Sequence, residues 1–147
     1  MPTSRPQRIS RPEQPGSLLK RITAAAARRV QAEPKGGDPE YLTQVRQLPC
    51  LKCGMEPSEA AHVRFASAAF GKTSGIGRKP RDADAVPLCA GCHRLDRDAQ
   101  HSRGERMFWA ELGINPLLVA QRLYAQRGDL VVMRAVVLVA IAERSAR

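Results

Sequence analysis

From Pro2 to Pro15 large apolar residues are almost absent, and beyond Gly37 apolar positions fall into clear helical spacing. Tyr41, Leu42, Val45 and Leu48 recur at helical intervals. Asp38 ahead of Pro39 reads as an N-cap followed by proline at the first helical position, and Pro49 is the predicted stop. Two short apolar runs, Ala60–Arg64 and Ala85–Leu88, are of strand length. Arg106 to Leu112 predicts a helix with Met107, Phe108 and Leu112 in the core and Gly113 as its cap. Asn115 and Pro116 open a further helix carrying Leu117, Leu118, Ala120, Leu123 and Tyr124, which Gly128 ends. Leu130 to Ala142 is intensely apolar, with Arg134 as its single charge. Its length and its Ala and Met content favour a helix over a strand. A helix apolar on most sides is buried in the core or against a second subunit. The reading favours a homodimer contact through residues 130–142.

The first 37 residues differ in kind. Pro2, Pro6, Pro12 and Pro15 punctuate a run bearing Arg5, Arg8 and Arg11, a composition too poor in apolar surface to offset chain entropy. Ser17 to Arg29 is helix-prone, with Ser17 as a cap and Ala24 to Ala27 as strong helix formers. The expectation is a basic, largely disordered tail over 1–37, a domain over 38–127 and an apolar helix over 128–147. The tail is either a solvated extension or an arm that adds phosphate contacts; its prolines spoil the periodicity of a transit peptide.

Charge narrows the partner. The 147 residues hold 24 Lys and Arg against 14 Asp and Glu, a formal net charge of +10. Such an excess points to a polyanion, with DNA as the first candidate. No apolar run reaches the roughly 18 residues of a membrane span, so no membrane partner is expected. Between Arg64 and Arg81 there is no acidic residue, while Arg64, Lys72, Arg78, Lys79 and Arg81 are basic and Gly71, Gly75 and Gly77 loosen the loop. A loop of one sign is often only solvated; beside a metal site, contact with the phosphate backbone is the favoured reading.

Four cysteines form two pairs, Cys50-x2-Cys53 and Cys89-x2-Cys92, the spacing of two turns that close a tetrahedral zinc site. Disulfides would require an oxidising compartment, and the first ten residues carry no apolar signal segment. A redox pair would want a strand–helix alternation that is missing. Structural zinc in a reducing cytoplasm is the expectation. Gly54 permits the sharp turn that follows the first pair. All three histidines, His62, His93 and His101, lie within or just beyond this cysteine-bracketed segment.

Taken together, Cys50-x2-Cys53, Ala61-His62-Val63-Arg64, Gly77-Arg78-Lys79-Pro80, Val86-Pro87-Leu88-Cys89-x2-Cys92-His93 and His101 resemble the HNH (His-Me finger, ββα-metal) endonucleases. Within them, the chain is similar to small phage and prophage proteins. The likeness continues through Phe108-Trp109 and Gly113–Leu117 and covers roughly Tyr41 to Tyr124. It implies a small α+β fold: a ββα-metal core stapled by the four-cysteine zinc site and flanked by helices. Cys92 to Gln100 would be the helix of that core. The resemblance also implies hydrolysis of DNA phosphodiester bonds to 5′-phosphate and 3′-hydroxyl ends, a bacterial cytoplasm, and a recombination or phage-packaging partner. His62 falls on the general-base position, and His93 and His101 on ligands for catalytic Mg²⁺ or another divalent metal. Relatives place the second helix ligand one turn after the first. Here the interval is eight residues, so Leu95 to Ala99 is expected to include a loop or broken turn.

Ala61 departs from the pattern, because many HNH sequences carry a metal ligand there. Water, Asp82 or Asp84 would have to fill the gap, and the middle asparagine has no match; Asp84 stands nearest to its place. Two readings follow: a metal-dependent endonuclease, favoured by the three histidines, and a catalytically impaired, zinc-stabilised nucleic-acid-binding protein, favoured by Ala61.

Overall fold

The N-cap at Asp38 forms as its sequence predicts. Its Oδ1 accepts from Tyr41 N at 3.0 Å, Pro39 takes the first helical position, and α1 runs Pro39–Val45. The computed structural model describes residues 34–73 and 77–146, so the expectations for the first 33 residues, and for Gly75, lie outside the described residues. The helix ends short of Pro49. Gln47 N and Leu48 N bond the carbonyls of Gln44 and Val45, tightening the chain into turns because the residue before proline avoids the helical region. Leu48 still reaches the core, fully buried beside Tyr41 and Val45.

The two apolar runs pair. Strands β1 (Glu59–His62) and β2 (Ala85–Leu88) are antiparallel, with Ala61 opposite Val86 and His62 opposite Ala85. Pro87 has no N–H to donate, but its carbonyl accepts from Leu51 N at 3.1 Å. That bond joins the first cysteine turn to the strand leading into the second. Alternation along β1 sends Ala61 into the core.

After β2 the chain enters a π-helical turn, Gly91–Leu95, breaks over residues 96–99 and resumes as α2 (Gln100–Arg103). The single helix expected over Cys92 to Gln100 is therefore two pieces, with the interruption in the 95–99 stretch where the histidine interval required one. Helix α3 (Glu105–Leu112) ends on Gly113, whose φ of +70° suits a residue without Cβ. Its core face holds Phe108 and Trp109, whereas Met107 is 57 % exposed. Met107 was expected inside, but one residue before Phe108 lies a third of a turn away from the face that Phe108, Trp109 and Leu112 share.

Helix α4 (Pro116–Ala125) starts at Asn115, whose Oδ1 accepts from Leu117 N and Leu118 N. It buries Leu117, Val119, Ala120, Leu123 and Tyr124 against β2 and α1 as part of one hydrophobic core. Removing Leu123 from that packing to Ala would cost about 2–5 kcal/mol. Helix α5 (Leu130–Ser145) is capped by Asp129 and contributes Met133, Val137 and Ala140 to the same core. The described residues thus form a small α+β unit of one two-stranded sheet and five α-helices. None of those helices is long and apolar enough to cross a membrane.

Candidate metal centre and histidine cleft

The two cysteine turns meet. In the first, Gly54 N bonds Cys50 O at 2.8 Å and Cys50 N bonds Met55 O at 3.0 Å; Gly54 has a φ of +75° that excludes most side chains. In the second, Cys92 N points at Cys89 Sγ at 3.5 Å. All four Sγ atoms lie within 4.8 Å of one another, with Cys53 and Cys89 3.5 Å apart. A Zn–S bond of about 2.3 Å implies S···S separations of roughly 3.8 Å in a tetrahedron, so the donor set fits zinc and saturates it. None of the four is in a disulfide. Burial pushes the Cys92 thiol well above its ordinary value. Burial also opposes a Cys89 thiolate, but the Cys92 N–H and the neighbouring sulfurs outweigh it and hold Cys89 below its usual value. Packed thiolates of this kind need a cation among them. Arg144 of α5 braces the first turn by donating to the carbonyls of Leu51 and Lys52 at 3.1 and 2.9 Å.

Beside this centre, the interrupted helix turns two imidazoles toward each other. His93 Nε2 and His101 Nε2 are 3.2 Å apart, with their rings perpendicular. Two nitrogens bound to one ion at about 2.0–2.1 Å would sit at nearly this separation. On its far side, His93 Nδ1 donates to Glu59 Oε2 at 2.7 Å, the carboxylate brace that fixes a ligating tautomer. Arg94 holds Glu59 in turn, and Arg94 and then His93 keep that carboxyl below its usual range. Burial, followed by His93 and Arg64, pushes the His101 imidazole below its ordinary value and so favours its neutral form. Glu59 escaped the sequence reading; its contact with His93 spans 34 positions, and nothing local marks it.

His62 lies with His101, Arg64, Gln100 and Glu105 around a cleft of about 200 Å³. Its Nε2 is 2.9 Å from Asp82 Oδ1, while Asp82 Oδ2 accepts from Asp38 N at 2.8 Å. Burial works against a charged Asp82, but the bonds from His62 and Asp38 N and the nearby Lys79 prevail, and its carboxyl sits below the ordinary value. Glu105, raised chiefly by burial, accepts from Arg64 N at 2.9 Å and from Gln100 Nε2 at 3.0 Å.

Asp84 is occupied otherwise. One oxygen takes the buried Lys72 Nζ at 2.7 Å, and Arg81 bonds both oxygens. Neither Asp82 nor Asp84 joins a metal-binding group; among the described residues the four cysteines alone bring three or more ligand atoms that close together. The five basic residues of the loop nevertheless converge. Arg64, Lys72, Arg78, Lys79 and Arg81 line one cavity of about 530 Å³. Lys72 is 7 % exposed and spends its charge on Asp84, so it is the least available of the five. Arg64 borders both this cavity and the histidine cleft.

Comparison of the chain with protein-family models, with curated proteins and with solved structures yields no match. The site therefore stands on its own geometry.

Proposed function

We propose that the chain is a metal-dependent HNH-type endonuclease that hydrolyses DNA phosphodiester bonds, and that its sheet and broken helix act as a ββα-metal core. The observation that carries this reading is the facing pair His93–His101, braced by Glu59, beside a cleft that also contains His62. Asp82 defines what His62 does. With Nε2–H donating to the Asp82 carboxylate, the lone pair lies on Nδ1, which accepts the proton of an attacking water. Asp82 is then the group that orients the base, and not a metal ligand. Attack on phosphorus with loss of the 3′-oxygen leaves a 5′-phosphate and a 3′-hydroxyl. His93 and His101 would hold a divalent cation, which when bound would supply charge neutralisation at the phosphate and the departing oxygen. Two imidazoles suit Zn²⁺ or Ni²⁺ better than Mg²⁺, which prefers oxygen. The basic cavity next to the cleft is suited to hold neighbouring backbone phosphates, chiefly through Arg64, Arg78 and Lys79.

A specific observation favours the second reading, a zinc-stabilised DNA-binding protein with an impaired site. Ala61 is fully buried in the core, and no third ligand side chain stands within the compass of the two imidazoles among the described residues. A plasmid-nicking assay with Mn²⁺, Mg²⁺ or Ni²⁺, run beside His62→Ala, separates the two. Metal-dependent nicking lost in His62→Ala supports the nuclease. DNA binding without nicking at any metal supports the binding protein.

A further inference from the structure

The outward face of α5 is apolar along its whole length. Met133, Val137 and Ala140 point into the core, while Val131, Val132, Ala135, Leu138, Val139 and Ala142 are exposed, with Val131 81 % and Leu138 52 % open. Only Glu143 interrupts that face with a charge. A solvent-facing helix surface normally carries polar side chains; a continuous apolar one marks an interaction site.

Its pattern identifies the partner. Val131, Ala135, Leu138 and Ala142 follow one another at intervals of four, three and four, the seam spacing of a two-helix contact. Along that seam large and small residues alternate. We propose that α5 pairs with α5 of a second copy of this chain, antiparallel about a two-fold axis. In that register Val131 meets the partner's Ala142 and Ala135 meets the partner's Leu138, so each large side chain faces a small one on both halves of the contact. A parallel pair would set Ala135 on Ala135 and Ala142 on Ala142 between the larger Val131 and Leu138 layers, leaving two layers underfilled.

A lipid surface fits the face less well. Membrane-lying helices border their apolar side with free cations. Here the flanking Arg134 is bound to Glu56 and Gln47 O, and Arg144 to the first cysteine turn. The 16-residue helix is about 24 Å long, and one helix pair buries less than a standard interface, so the association is concentration-dependent.

Sedimentation equilibrium of the zinc-loaded full chain from about 1 μM to about 200 μM tests this. The mass is expected to rise toward two chains, and Leu138→Glu to weaken association roughly 30-fold or more while its circular dichroism stays unchanged. A mass of one chain at every concentration, or association untouched by Leu138→Glu, overturns the proposal. Register is read by mixing Val131→Cys with Ala142→Cys chains under mild oxidation. A cross-link between positions 131 and 142 is expected; one joining two copies of Val131→Cys overturns the antiparallel arrangement.

Discussion

His93 and His101 face each other with their Nε2 atoms 3.2 Å apart, although eight residues and a break in the helix separate them. The break brings them together. In an uninterrupted helix an interval of eight would set the two rings more than two turns apart, about 12 Å along the axis. A titration with Mn²⁺, Zn²⁺ or Ni²⁺ should therefore show a second site per chain beyond the cysteine-held zinc. Glu59→Gln removes the brace on His93 Nδ1 and is expected to weaken that second site by about 10–100-fold, with the first untouched. Isothermal titration calorimetry checks both numbers.

The cysteine centre should decide whether the domain folds. Zinc held at sites of this type contributes roughly 10–16 kcal/mol, comparable to or larger than the ~5–15 kcal/mol stability of a domain. Cys89→Ser is expected to lose stoichiometric zinc and the cooperative thermal transition together. Full zinc content with an unchanged melt would refute a structural role.

Asp82→Asn keeps the size of the side chain but removes the charge that orients His62. Nicking is expected to fall by about 10²–10⁴-fold while DNA affinity holds.

Asp82 ties stability to pH as well. Its folded carboxyl lies below the ordinary value, so its contribution is fully present above about pH 4 and is lost as pH falls through the folded value. Stability read by chemical denaturation at a series of pH values should fall on acidification over that window in the unaltered chain, and Asp82→Asn, which lacks the contribution at every pH, should be less stable at neutral pH and flatten that limb.

The same carboxylate leaves no room for a side chain at Gly37. Its φ is +103°, and a Cβ added there would stand 2.5 Å from Asp82 Oδ2. Gly37→Ala is expected to destabilise by about 1–3 kcal/mol in chemical denaturation and to reduce nicking by displacing Asp82.

DNA binding should report on the basic cavity. Replacing Arg64 or Lys79 by Ala is expected to lower the slope of log K against log salt by about 1 each. Lys72→Ala should instead cost stability, because it removes the buried cation from Asp84 and leaves that carboxylate to the more exposed Arg81 alone. A filter-binding series over salt distinguishes the two outcomes.

Much of this molecule was legible from local chemistry. The caps at Asp38, Asn115 and Gly113, the existence of the two short strands (the first running Glu59–His62 where Ala60–Arg64 was expected) and the two cysteine turns depend on residues a few positions apart, so spacing and residue type specify them. The tertiary structure decided what depends on distant partners. It set Glu59 behind His93, turned Asp82 onto His62, and spent Lys72 on Asp84, each across twelve or more positions. It also placed Trp109 inside and Met107 outside, because the core accepts only one stripe of a short helix. For α5, composition marked the whole segment for burial, but a helix can give the core only one side. The packed side takes Met133, Val137 and Ala140; Val131 and Leu138 lie on the far side, a third to a half of a turn away, where no element of the described chain reaches them.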